Sequence, residues 1–301
     1  MTAVRGLLQR ELASALLWSC QPLAVAMAAA AVPPLLQAGI ASSAALLLLW
    51  LRTRWQQLPV FAHDNAWRSG AAIGLLYSAR LGLLYMAVAR SAPLPAVLLA
   101  AGCLVLAQSL LRLLRGGARW RMLPALLLAL LSLLGALIQL DLGSAAALAL
   151  LAGLLWAIEI RLLSRRPLHR MAGETLVFYQ LIGAVVILPM ASALLDEPWL
   201  LKPDAAAWLG LLVQIAVGGV LLPALWLTPG PAPVRRLLPL LVLVAPPSTL
   251  LLQAWLLRPP AAVLAASCLL LMLAAWLAGA GQWGMAAVEN DEGDRHRPVG
   301  A

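Results

Sequence analysis

Charged residues are scarce in this sequence. Of its 301 residues, 11% are charged and 63% are apolar, whereas soluble domains usually contain about 25% charged and about half apolar residues. A soluble protein of this size could not bury so much apolar surface, but a bilayer accepts it. The composition therefore predicts an integral membrane protein whose main partner is the lipid bilayer.

Lysine and histidine are also rare, and their positions exclude several activities. Lys202 is the only lysine and follows Leu201, so the chain has no GxxxxGK[ST] phosphate-binding loop and is not a self-contained ATP-driven pump. The three histidines lie outside the apolar runs, which excludes an HExxH metal site and a Ser/His/Asp triad within the bilayer. We therefore expect no metal, no cofactor and no enzymatic activity. The histidines are His63, His169 and His296.

Cysteine occurs three times, at Cys20, Cys103 and Cys268. Each cysteine lies inside an apolar run, and no two of them have CxxC spacing. We interpret them as small buried hydrophobic residues without a redox or metal-binding role.

Long apolar runs dominate the rest of the chain. Each is long enough to cross about 30 Å of hydrocarbon, where the backbone must satisfy its own hydrogen bonds and is therefore helical. The sequence predicts an all-α integral membrane fold with ten transmembrane helices, at approximately residues 12–31, 35–51, 69–89, 95–111, 122–140, 145–160, 173–195, 206–228, 237–257 and 261–280.

Basic residues are concentrated in alternate connections between these runs. Three of them, Arg90, Lys202 and Arg258, lie in the opposite set of connections, and Arg80 lies inside a run. Under the positive-inside rule, this asymmetry places both termini in the cytoplasm, and we expect a multi-pass protein of a bacterial inner membrane. Because the net charge of +9 is divided into short clusters, it does not indicate nucleic-acid binding. The seventeen clustered residues are Arg5, Arg10, Arg52, Arg54, Arg68, Arg112, Arg115, Arg119, Arg121, Arg161, Arg165, Arg166, Arg170, Arg235, Arg236, Arg295 and Arg297.

Two pairs of similar segments suggest an internal repeat. Leu16–Gln21 in the first run resembles Leu154–Glu159 in the sixth, and Leu113–Gly117 resembles Leu256–Pro260 at a similar separation. Two halves of five spans each have opposite orientations in the membrane, which is a transporter architecture with a site near the midplane. The alternative for the first run is a signal peptide cleaved near Ala28–Ala31. The predicted organisation is a cytoplasmic N-terminus (1–11), a first five-helix repeat (12–140), a connection (141–144), a second five-helix repeat (145–281) and a disordered cytoplasmic tail (282–301).

Four segments resemble the EamA-like branch of the drug/metabolite transporter superfamily. They are Leu16–Ser19, Val32–Gly39, Gly153–Ala157 and Glu174–Leu181. The resemblance covers nearly all of the chain from Leu12 to Gly281. It implies ten spans in two inverted repeats, cytoplasmic termini and transport of a small metabolite. It also implies that Tyr179 and Gln180, at the start of the seventh span, contact the substrate.

Two charged residues inside the predicted spans are candidate functional residues. Arg80 is an anchor for an anionic group such as a carboxylate, or alternatively half of a structural ion pair. Tyr77, three residues earlier on the same helical face, adds a ring contact. Glu159 is either a protonatable coupling group or an ion-pair partner of Arg80 or of a nearby arginine.

Aromatic and amide side chains complete the candidate site. Trp18 with Gln21 and Trp156 with Glu159 have the same spacing in the two halves, which points both pairs at a central cavity. Gln108 and Gln214 either line that cavity or form interhelical hydrogen bonds. Pro22 and Pro246–Pro247 mark either broken helices or simple kinks.

From these features the sequence predicts a secondary transporter or facilitator, with export favoured, that moves an amino acid or organic anion by alternating access. The alternatives are a non-transporting membrane partner or regulator with the same fold and, third, a membrane-embedded enzyme. The sequence leaves the oligomeric state open.

Overall fold

The chain is mostly helical in the part that its computed structural model describes. That part comprises residues 2–57, 67–114, 119–139, 143–163, 168, 171, 173–199, 202–221, 233–256 and 261–278, and it contains no β-strand. Its ten α-helices are α1 (Thr2–Ala28), α2 (Pro34–Trp55), α3 (Trp67–Arg90), α4 (Pro93–Leu114), α5 (Arg119–Ile138), α6 (Ser144–Leu163), α7 (Gly173–Leu194), α8 (Ala205–Gln214), α9 (Pro233–Leu256) and α10 (Ala262–Leu277).

Five of these helices are long and apolar enough to cross a membrane. They are α2, α3, α6, α7 and the Pro93–Leu111 part of α4. Shorter apolar helices lie within α1, α5 and α10, and another extends from α8 to Gly218. Large apolar side chains also cover the outside of the bundle, including Leu134 and Ile138 on α5 and Leu269 and Trp276 on α10. Lipid tails solvate such side chains, whereas water does not. The predicted all-α membrane protein is confirmed at this level.

The helices form one bundle in which each long helix packs against several others. Helix α1 contacts α8 and α9, α3 contacts α6 and α7, and α4 contacts α5 and α6. Helix α2 contacts α7, and α10 contacts α5 and α9. One large cluster of mainly aliphatic buried residues runs through most of these interfaces, and a separate small cluster, Ala28, Val32 and Leu211, includes residues of α1 and α8. Its many alanines let the helix axes approach closely, as is usual in membrane bundles.

Glycines bring α3 and α7 into backbone contact. A Cβ placed on Gly74 would lie 2.5 Å from the carbonyl oxygen of Tyr179, and one on Gly183 would lie 2.5 Å from the carbonyl oxygen of Gly74. The ring of Tyr179 lies against Gly70. Gly70 and Gly74 are four residues apart, which is the small-xxx-small spacing found where membrane helices pack closely.

The membrane prolines lie within continuous helices. Helix α1 runs through Pro22, and α9 runs through Pro246 and Pro247. These prolines therefore fit the interpretation of kinks and do not mark broken helices. The irregular segment lies elsewhere: α8 passes at Gln214 into a π-helical segment at Ile215–Leu221.

Two predicted spans differ from the observed helices. Helix α1 begins at Thr2, well before residue 12, so most of the predicted N-terminal segment continues the first helix. The eighth span was expected to be regular over 206–228, but α-helical bonding stops at Gln214. Residues 222–230, the tail 282–301 and the three histidines lie outside the described residues.

Candidate functional site: a cavity inside the bundle

A partly open cavity lies between the helices. The space free of protein atoms in it and at its mouth is about 980 Å³, of which about 100 Å³ admits the centre of a water molecule. Its walls come from α1, α2, α3, α6, α7, α8 and the π segment. Most of the lining is apolar, with polar groups at a few points, as in many small-molecule sites. Seven of the residues predicted for the site line this cavity: Trp18, Gln21, Tyr77, Arg80, Trp156, Gln180 and Gln214.

Helical periodicity explains why these residues meet. Trp18 and Gln21 on α1, Tyr77 and Arg80 on α3, and Trp156 and Glu159 on α6 are each three positions apart. Residues at this spacing share one face of a helix. Five of these six residues line the cavity, and Glu159 contacts Arg80.

Arg80 forms a buried ion pair with Glu159. Arg80 Nε donates to Glu159 Oε2 over 2.5 Å, and the two side chains are 8% and 1% exposed. Gln180 Nε2 donates to the other carboxylate oxygen, Oε1, over 2.8 Å. The pairing of Glu159 with Arg80, one of the predicted alternatives, is therefore the observed arrangement. Roles in anion binding or proton coupling stay predictions.

Aromatic rings surround the guanidinium group of Arg80. Its Cζ lies 5.0 Å from the centroid of the Tyr77 ring and 5.1 Å from that of Trp156. The Trp18 and Trp156 rings are 5.7 Å apart with a tilt of 38°. Ring faces attract cations, particularly where water is excluded. The rings and the carboxylate together hold Arg80 in one orientation.

Three glutamines form a second polar group, which we call the amide cluster: Gln21, Gln37 and Gln214. Gln21 Nε2 donates to the backbone oxygen of Gln214 over 3.2 Å. Gln214 Nε2 donates to Gln37 Oε1 and to the backbone oxygen of Ala24, both over 3.1 Å. The cluster joins α1, α2 and α8, and Gln37 and Gln214 are completely buried. Such interhelical bonds stabilise membrane bundles by about 1 kcal/mol each.

Some buried polar atoms of the cavity lining have no hydrogen-bond partner in the protein. They are the indole nitrogen of Trp156 and the amide oxygens of Gln21 and Gln214. A buried polar group without a partner costs about 1–3 kcal/mol. Because these atoms also have almost no exposed surface, a molecule in the cavity reaches them only if the side chains move.

Three predicted site residues are not part of the cavity lining. Tyr179 lies at the contact of α3 with α7, where its ring packs on Gly70. Gln108 Nε2 donates to the backbone oxygen of Ala157 over 3.0 Å, which joins α4 to α6. Glu159 lies behind Arg80 and does not reach the wall.

Sequence reasoning missed three polar residues of the site. Ser42 and Tyr85 line the cavity, and Gln37 completes the amide cluster. Gln37 had a usable signal, because it is a polar residue one turn inside an apolar span. Within the described ranges, no three His, Cys, Asp or Glu side chains gather as a metal site.

Comparison with known proteins gives a fold but no activity. No family model and no curated protein matches the chain. Several solved structures match, and one of them, "Crystal structure of protein", does so with a TM-score of 0.61 and 21% sequence identity. The match covers 91% of this chain and 97% of the other. At this identity the likeness indicates a shared fold alone.

Proposed function

We propose that this protein is a secondary transporter or facilitator that moves a small metabolite across a membrane by alternating access, with export the favoured direction. The observation that carries the proposal is the cavity between α1, α2 and α3 on one side and α6, α7 and α8 on the other. In the proposed arrangement these are equivalent helices of two inverted halves, at 12–140 and 145–281. A cavity at such an interface is where transporters of this kind bind their substrates.

The pattern of helix contacts supports two related halves. In the proposed repeat, α1 to α5 correspond in order to α6 to α10. If each helix is exchanged with its counterpart, the contact of α1 with α8 becomes the contact of α6 with α3. The contact of α1 with α9 becomes that of α6 with α4, and α4 with α5 becomes α9 with α10. The contacts of α2 with α7 and of α5 with α10 map onto themselves. Each of these contacts is observed, as a two-fold axis between the halves requires.

The relative directions of the helices support ten crossings. Arg90, at the end of α3, donates to Ser144 at the start of α6 over 3.3 Å. Glu197, after α7, accepts from the backbone N–H of Leu35 at the start of α2 over 3.5 Å. If the connections between helices are numbered from the N-terminus, the first of these contacts joins connections 3 and 5 and the second joins connections 1 and 7. Odd-numbered connections lie on one face of the membrane if every helix crosses it. This face is the one with few basic residues, so it is the external face in the proposal.

The two polar groups bridge the proposed halves at different depths. Gln37 lies about one turn from the end of α2 assigned to the outside, whereas Gln180 lies about two turns from the end of α7 assigned to the inside. The amide cluster and the Arg80–Glu159 pair therefore lie toward opposite faces. Alternating access requires a separable contact on each side of the site.

Lys202 provides a test of this topology because it is the only lysine and is exposed. In spheroplasts, a membrane-impermeant amine reagent is expected to label Lys202 from outside. The N-terminal amine should be labelled only in inverted vesicles. Lys202→Arg is the control and should remove the external label. External labelling of the N-terminus, with Lys202 protected, would refute the proposed orientation.

Filling the cavity tests the transport function. Ala45 lines the cavity and is buried, whereas Ala71 is exposed on α3. In liposomes screened with amino acids and organic acids, Ala45→Phe should reduce flux at least tenfold because the ring occupies the substrate's space. Ala71→Phe should retain flux. Equal flux in both variants would place transport elsewhere. No flux with the native chain would favour a non-transporting partner, and conversion of a compound would favour an enzyme.

A further inference from the structure

We propose that Glu159 sets the charge preference of the cavity: by neutralising Arg80 from behind, it restricts binding to small molecules with no net charge. The inference rests on the proposed function only in taking the cavity as the small-molecule site. It replaces the expectation of an anionic substrate with a substrate class that follows from the ion pair.

The charges around the cavity support this inference. Among the lining residues that the structure describes, Arg80 is the only one with an ionised side chain at neutral pH. Both carboxylate oxygens of Glu159 are engaged, one by Arg80 Nε and the other by Gln180 Nε2. The pair therefore contributes no net charge to the site. A charged solute would lose its hydration without gaining an unpaired counter-charge.

The lining of the cavity is complementary to an apolar body. It is mainly apolar and aromatic, and includes Val25, Leu84, Val177 and the rings of Trp18 and Tyr77. The unpaired atoms of Gln21, Gln214 and Trp156 have almost no exposed surface, so the wall offers few free polar groups. An uncharged molecule with an apolar body fits this wall. A charged analogue is rejected because its charge stays unpaired.

Three probes with the same indole body test the charge preference: indole-3-propionamide is uncharged, indole-3-propionate is an anion and tryptamine is a cation. Binding to the full-length purified protein is measured from the increase in melting temperature with ligand concentration. The native chain should bind the amide at least tenfold more tightly than either ion. Binding of an ion as tightly as the amide, or binding of none of the three, would overturn the inference.

Isosteric variants should change the preference in opposite directions. Glu159→Gln leaves Arg80 unpaired and should favour indole-3-propionate over tryptamine at least tenfold. Arg80→Gln should favour tryptamine, and the double variant should again prefer the amide. Glu197→Gln removes a carboxylate outside the cavity and should keep the native order.

If either single variant binds the three probes in the same order of affinity as the native chain, the inference is contradicted. If one variant does not fold, the other still tests it. The two proposals fail separately. If this order of binding holds without any flux, transport alone is refuted. If flux occurs without charge preference, the role of Glu159 alone is refuted.

Discussion

Glu159→Ala is expected to lower the free energy of unfolding by about 3–5 kcal/mol, because it leaves a buried guanidinium group without its partner. Arg80 and Glu159 are almost completely buried and lie on different helices, α3 and α6. In the low dielectric of the bundle, the lone charge cannot regain its lost hydration. Reversible unfolding of purified protein in mixed micelles measures the loss.

A double variant distinguishes the loss of the ion pair from the loss of side-chain atoms. Arg80→Met combined with Glu159→Leu removes both charges and should recover most of the stability, since two apolar side chains replace the pair. Glu174→Ala, in the first turn of α7, is the matched loss of one carboxylate. It should cost less than about 1 kcal/mol. If the double variant loses as much free energy of unfolding as the two single variants together, the two charges do not stabilise each other.

Gly74→Leu is expected to destabilise the bundle by roughly 3 kcal/mol, the upper end of the usual range for overpacking. The new Cβ would meet the carbonyl oxygen of Tyr179, and a backbone atom cannot move aside as a flexible side chain can. Helices α3 and α7 would have to separate along the contact that Gly74 and Gly183 make possible. The melting temperature in detergent measures the effect.

An exposed alanine on the same helix is the control. Ala72→Leu adds nearly as many atoms as Gly74→Leu, but Ala72 lies on the outer surface of α3. The effect of Ala72→Leu on stability should therefore stay within about 0.5 kcal/mol. Gly183→Leu should be as harmful as Gly74→Leu, and the two together should be less than additive because they disrupt one contact. Tolerance of Gly74→Leu would show that α3 and α7 do not approach as closely as the structure has them.

Much of the fold follows from the sequence because the interior of a bilayer permits few backbone conformations. Long apolar runs must be helices in hydrocarbon, and the i, i+3 spacing predicted that Trp18, Gln21, Arg80 and Trp156 face one interior. The irregular end of α8 was not predicted. Gly218 and Gly219 weaken the α-helix there, but a residue pattern alone does not distinguish a π turn from a regular one.

The contacts of individual polar side chains were harder to predict than the positions of the helices. Gln37 and Gln108 look alike in sequence, yet Gln37 joins the amide cluster and Gln108 bonds to the backbone of α6. Tyr179 and Gln180 are neighbours, and the helix turns about 100° between them, so only Gln180 reaches the cavity. Such outcomes depend on rotation about the helix axis, which an apolar run barely specifies because lipid and protein interior are both apolar.

The π segment at Ile215–Leu221 amounts to one surplus amino acid absorbed within a helix, because each of its hydrogen bonds spans one residue more than an α-helical bond. Deleting Val217 would let regular bonding continue from α8. The rest of the segment would keep its direction, because the deletion removes only the surplus residue. The same deletion in a regular α-helix would rotate every later residue by about 100°. A single-codon deletion in this stretch is therefore expected to leave in place both Gln214 and Gly218, which faces the cavity beside Gln21.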